Sequence, residues 1–145
     1  MSRYLICCLT VALSAWWCAP APAQDPAPIA KLPFSPARKA GGFLFVSGQL
    51  PRTPQGADVR DSVAAETRQV MENLGRILAE NGYTFDDVVS TNVYLKDIQD
   101  YQVMNRIYAS YFQTAYPARA TVGGVDLAFG FRVEIGCVAY KEEKE

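Results

Sequence analysis

Val88-Val89-Ser90-Thr91-Asn92-Val93-Tyr94-Leu95 is the stretch on which the fold turns. It is rich in β-branched residues and reads as a strand. Asp100 then opens a helix in which Met104, Ile107, Tyr108, Tyr111 and Phe112 recur at three- and four-residue spacing, and Thr114 to Pro117 ends it. A similar passage lies upstream. Gly41-Gly42 is a turn, Phe43-Leu44-Phe45-Val46-Ser47 a strand that stops at Gly48, and Pro51 to Gly56 a loop. A long helix follows from about Ser62 to Glu80. Val63, Val70, Leu74, Ile77 and Leu78 share one face of it, Asp61 is the expected N-cap, and Asn81-Gly82 the stop. Downstream, Arg119 to Leu127 and Arg132 to Tyr140 are two further strands separated by Phe129-Gly130. The order is one strand, or two, and then α-β-α-β-β. Two strand-helix passages predict a small sheet with two helices on one face. No third layer remains for the other face, which carries aliphatic and aromatic residues, so another subunit is its natural cover.

The remaining segments lie outside that core. Residues 1–23 read as a signal peptide: Arg3 supplies the positive start, Leu5 to Trp17 the apolar run, and Ala21-Pro22-Ala23 the small-x-small cleavage site. The run is too short and wrongly flanked for a transmembrane helix. Lipidation at Cys18 is the competing reading, and the two preceding tryptophans argue against it; an uncleaved apolar tail is another. Residues 24–33 form a Pro/Ala-rich linker, 34–141 the folded domain and 142–145 a charged tail. Cleavage removes Cys7, Cys8 and Cys18 and leaves Cys137 alone, so the mature domain has no intrachain disulfide. From 14 basic and 15 acidic residues, loss of Arg3 leaves 13 and 15, net −2. A chain of that charge without a basic block is not built to bind nucleic acid.

The chain contains no histidine, the commonest acid-base group and metal ligand. Chemistry must therefore come from elsewhere, and two residues stand out. Arg119 follows the rigid Pro117-Ala118 entry and offers a planar fork of donors suited to a carboxylate. Glu134, between Val133 and Ile135, offers an acceptor that can orient or deprotonate water. Each also has a plain reading: Arg119 as a strand-start arginine paired with a surface acid, Glu134 as one of a solvated row with Arg132. Strand alternation places Arg132, Glu134 and Gly136 on one face, and Val133, Ile135 and Cys137 on the other. Asn105 reads as an exposed amide, Phe34 as packing or the wall of a pocket, and Gly48 as a strand-ending turn. Thr121 has no base to activate it, and Cys137 is a packing residue.

These residues, taken in order, resemble the RidA family, also called YjgF. The resemblance rests on Pro117-Ala118-Arg119-Ala120-Thr121-Val122 with Val133-Glu134-Ile135, and on Phe45-Val46-Ser47-Gly48-Gln49-Leu50-Pro51 upstream. Thr67 to Val70, Asn73-Leu74, Asp87 to Thr91, and Tyr101 to Asn105 with Tyr108 and Phe112 match as well, so that about Phe34 to Tyr140 is covered collinearly. The resemblance implies an α+β, chorismate-mutase-like sandwich: a mixed sheet with two helices on one face, assembled as a homotrimer with clefts between subunits. It implies cofactor-free hydrolysis of reactive enamines and imines, such as 2-aminoacrylate and 2-iminobutanoate, to 2-keto acids and ammonia. Arg119 would bind the substrate carboxylate and Glu134 would position water, with Asn105, Phe34 and Gly48 near the cleft. Phe34 stands where the family often has tyrosine, Thr121 where some members have cysteine, and Val125 where a small or basic residue is usual.

The expected partners are a small imine, enamine or 2-keto acid and further copies of the chain, with no nucleic acid, no metal and no membrane once the signal is removed. The expected location is periplasmic or secreted, the alternative being cytoplasmic as in most of the family. Two other readings compete. One is a non-catalytic protein of the cell envelope that holds a small carboxylate in the same cleft, motivated by Phe34, Val125 and the export signal. The other, RNA cleavage, ranks last on charge and on the missing histidine.

Overall fold

The computed structural model describes residues 33–142; the expected signal peptide, nearly all of the linker and most of the charged tail lie outside them. Among the described residues the elements run β1 (Ala37–Ala40), β2 (Phe43–Gln49), α1 (Val63–Glu80), β3 (Val88–Leu95), α2 (Tyr101–Ala109), β4 (Ala118–Gly123) and β5 (Val133–Tyr140). The optional early strand is thus β1, joined to β2 by a tight turn at Gly41, whose φ of +55° lies in the left-handed region that glycine tolerates.

The sheet order is β1-β2-β5-β3-β4. β3 and β4 pair in parallel through the α2 crossover, and the remaining pairings are antiparallel. The last strand in sequence is therefore the central one. It inserts between β2 and β3, which the α1 crossover would otherwise set side by side.

Helix α1 buries Val70, Met71, Leu74, Ile77 and Leu78 against Leu44, Val46, Ile135, Cys137 and Ala139, and α2 adds Met104 and Tyr108 to the same core. The opposite sheet face has no cover within the described chain. Phe43, Phe45, Tyr94, Val122 and Tyr140 are each 38% to 48% exposed there. Phe43 packs on Tyr140 with ring centroids 4.7 Å apart, so the face carries an aromatic cluster.

Several boundaries differ from the sequence reading. Ser62, not Asp61, caps α1: its hydroxyl accepts from the Ala65 N–H at 3.2 Å. β2 runs on to Gln49, and a register slip between Val46 and Gln49 makes Gly48 part of a bulge instead of the strand's end. Helix α2 stops at Ala109, where the Ser110 hydroxyl donates to the Ile107 carbonyl at 2.7 Å. β4 ends at Gly123 because Gly124 turns the chain at φ +77°, so Val125 to Leu127 leave the sheet.

Arg132 also departs from expectation. It lies just before β5, off the row it was to share with Glu134. Its N–H donates to Glu66 Oε2 at 2.7 Å and its guanidinium to Glu66 Oε1 at 3.0 Å. Glu66, only 1% exposed on α1, thereby pins the entry to β5.

Candidate active site

The setting of Arg119 begins with the β3–β4 register. Parallel pairing sets Arg119 beside Thr91, on the helix-covered side of the sheet. The Thr91 hydroxyl lies 2.9 Å from the Tyr108 hydroxyl, which fixes the Tyr108 ring. The Arg119 guanidinium stacks over that ring, its carbon 4.7 Å from the centroid. Its Nη2 donates to the Tyr101 hydroxyl at 3.1 Å, and the Tyr101 centroid is 5.6 Å away. Tyr101, Asn105 and Tyr108 follow at helical spacing on α2, so one face presents all three to β4.

A cavity of about 390 Å³ opens there, lined by Asn105, Tyr108, Ala109, Tyr116, Pro117 and Arg119. Asn105 is half-buried rather than the exposed amide expected, and its Oδ1 is buried with no hydrogen-bond partner. Burial pushes the Tyr108 hydroxyl's pKa up, against the opposing pull of Thr91 and Arg119. The half-site is an apolar pocket with one cation held in place by aromatic rings, which suits a small organic anion.

Glu134 occupies a second setting. It pairs with Tyr94 across β3–β5 and points to the open face, into a cavity of about 260 Å³ lined also by Phe45, Gly48, Asn92 and Gly136. Burial raises its pKa above the ordinary glutamate value. Gly48 makes room for it: a β-carbon at that position would overlap Glu134 Oε1. At Gly136 the fit is tight for another reason, since a β-carbon there would lie 3.2 Å from the Val46 carbonyl oxygen of the neighbouring strand.

Arg119 and Glu134 therefore lie on opposite faces of one sheet and do not meet within one chain. Asn105 sits with Arg119, and Gly48 with Glu134. Phe34, before β1 and 59% exposed, lines neither cavity. Sequence reading missed Tyr101 and Tyr108 as the cradle of Arg119, although their spacing from Asn105 was a usable signal. A further cavity of about 510 Å³ is lined by Arg60, Glu66, Lys96, Asp97, Asp100 and Arg132. Its two guanidiniums are already engaged, Arg60 by Asp58 and the Phe129 carbonyl, Arg132 by Glu66 and the Arg60 carbonyl.

Comparison with known proteins converges on one group. A family model described as Endoribonuclease L-PSP matches residues 24–141. The chain is 45% identical to a RutC family protein of Pyrococcus horikoshii, over 76% of this chain and 88% of that one. It is 40% identical to the chloroplastic Reactive Intermediate Deaminase A of Arabidopsis thaliana, over 79% of this chain and 62% of that one. The solved structure of E. coli TdcF with bound serine superposes with a TM-score of 0.74 at 28% identity, covering 80% of this chain and 94% of that one. With the two-helix sheet, the collinear motifs and these matches in agreement, the chain belongs to the L-PSP family, the RidA/YjgF/RutC group.

Proposed function

We propose that this protein hydrolyses reactive enamines and imines of the 2-aminoacrylate and 2-iminobutanoate type to 2-keto acids and ammonia, at a site completed between copies of the chain. The observation that carries the reading is the pair of half-sites. An arginine fixed by two tyrosines offers a carboxylate anchor, and a glutamate of raised pKa waits on the uncovered sheet face. A neighbouring copy seated on that face can bring its Arg119 pocket to this Glu134, and a homotrimer closes the arrangement.

In the reaction, Glu134 takes a proton from water as the oxygen bonds to the C=N carbon. The same carboxyl returns that proton to the nitrogen to give a carbinolamine, then passes the carbinolamine's hydroxyl proton to the nitrogen, so that the C–N bond breaks and ammonia leaves as C=O forms. Arg119 holds the substrate carboxylate throughout and restricts its orientation. An imine carbon is already electrophilic, so this route calls on no cofactor. The Arabidopsis relative is named a reactive intermediate deaminase, and the serine bound to TdcF carries a carboxylate.

RNA cleavage, which the family model's description prints, fits these groups less well. The chain lacks histidine and carries a small net negative charge.

The test is keto-acid and ammonia release from 2-iminobutanoate generated in situ. Acceleration over buffer is expected, with Arg119→Ala lowering it ~100-fold or more through loss of the charged anchor. No acceleration by the unmodified protein would refute the activity, and an unaffected Arg119→Ala would remove Arg119 from it. Export with cleavage after Ala23 belongs to the same proposal. It rests on the positive start at Arg3, the apolar run Leu5 to Trp17 and the small-x-small step Ala21-Pro22-Ala23. N-terminal sequencing of the protein recovered from its native cells should begin at Gln24; an intact Met1 start would overturn it.

A further inference from the structure

Tyr101 touches the Arg119 guanidinium beside the cavity, and the reaction above gives it no contact with substrate. Its hydroxyl oxygen receives the Arg119 Nη2 donor at 3.1 Å. The Asn105 amide, one turn along α2, also sits beside that oxygen, and the two hold the tyrosine's pKa below its ordinary value, Asn105 contributing most. The positive charge of Arg119 acts in the same direction. A phenol oxygen that accepts from Arg119 keeps its own O–H to donate elsewhere. It does not donate to Asn105, whose buried Oδ1 has no partner.

We propose that Tyr101 is a substrate-binding residue: its hydroxyl donates to the carboxylate that Arg119 holds, so that the anion is gripped by guanidinium and phenol together. The inference rests on the reading of Arg119 as the carboxylate anchor. It narrows the ligand to small 2-keto or 2-imino acids whose carboxylate can lie against the Arg119–Tyr101 edge while the rest occupies the apolar cavity. A neutral carbonyl compound would offer the guanidinium no opposite charge, and a charge-assisted hydrogen bond is the stronger kind. Arg119 of β4 is the charged group facing the hydroxyl. Tyr108, stacked under the same guanidinium, is the other titratable neighbour, and its hydroxyl is engaged with Thr91.

The experiment is calorimetric binding of 2-oxobutanoate to the full chain and to Tyr101→Phe across pH 7 to 10. The variant keeps the ring against Arg119 and loses only the hydroxyl. A hydrogen bond to a charged group is worth ~10-fold or more in affinity, and that weakening is expected in Tyr101→Phe. Unmodified protein should also lose affinity on the alkaline side as the phenol ionises, and the variant should lack that limb. Equal affinity in the two proteins, a pH-independent affinity in the unmodified one, or no binding at all would overturn the proposal. Tight, Tyr101-dependent binding without turnover of 2-iminobutanoate would sustain it while refuting the deaminase activity.

Discussion

Leu44 and Phe45 are adjacent in β2 and meet opposite fates. Leu44 is fully buried under α1, while Phe45 is 48% exposed on the other face. The same contrast runs across the sheet. The covered face carries a finished core and Arg119; the open face carries an aromatic cluster, Glu134 and the Gly48 that makes room for it. Both faces are apolar, yet only one is closed by the chain's own helices. On the proposed function, an apolar face that also holds a partly buried carboxylate is half of an interface and half of a site.

The most disruptive way to probe this contrast is a charge on the open face. Phe45→Asp should reduce the assembly to monomer and take deaminase turnover to background, while circular dichroism keeps the native profile, because the helix-covered core is untouched. A trimer that persists in light scattering, or a fully active monomer, would break the interpretation of that face.

Removing the carboxylate alone should be milder. Glu134→Gln is expected to lower turnover by ~10²- to 10⁴-fold, the usual worth of a positioned acid-base group. Because Glu134 must be ionised to take a proton, and burial raises its pKa above 4.5, activity should fall as pH drops through that raised value. The acid limb should vanish in the variant. Mixed assemblies of Glu134→Gln and Arg119→Ala chains sharpen the test further. If one copy supplies the arginine and its neighbour the glutamate, some sites regain both residues and turnover partly returns; a strictly additive loss would place both in one chain's site.

The smallest effect concerns the finished core. Leu44→Ala should destabilise the protein by ~2–5 kcal/mol in chemical denaturation, through lost burial and the cavity left behind. Oligomeric state and the pH profile should not change. A shift in assembly would show that the two faces are coupled more tightly than their separate packing indicates.

Much of this molecule is legible in one dimension. The three- and four-residue apolar spacing of α1 and α2, the β-branched run of β3 and the alternation in β5 each report a local period, and local periods survive without knowledge of partners. The glycine stop after α1 and the turn at Gly41 are legible because backbone conformation limits which residues fit there. Arg119 and Glu134 stand out because charges inside apolar strands require a reason. Two of the errors fell at edges decided by side-chain hydrogen bonds. Ser62 outcompetes Asp61 for the cap, and Glu66 draws Arg132 away from the Glu134 row.

Tertiary structure alone decided the rest. Which strands become neighbours depends on long-range pairing, so β5 at the centre, and with it Arg119 and Glu134 on opposite faces, follows from no local pattern. The tyrosine cradle of Arg119 exists only when α2 crosses over β3 and β4 and brings Tyr101 and Tyr108 onto a guanidinium from a different strand. Spacing along the chain records what each element can bury. What that element meets is set by how the sheet closes, because contacts between distant segments are chosen by the packing of the whole.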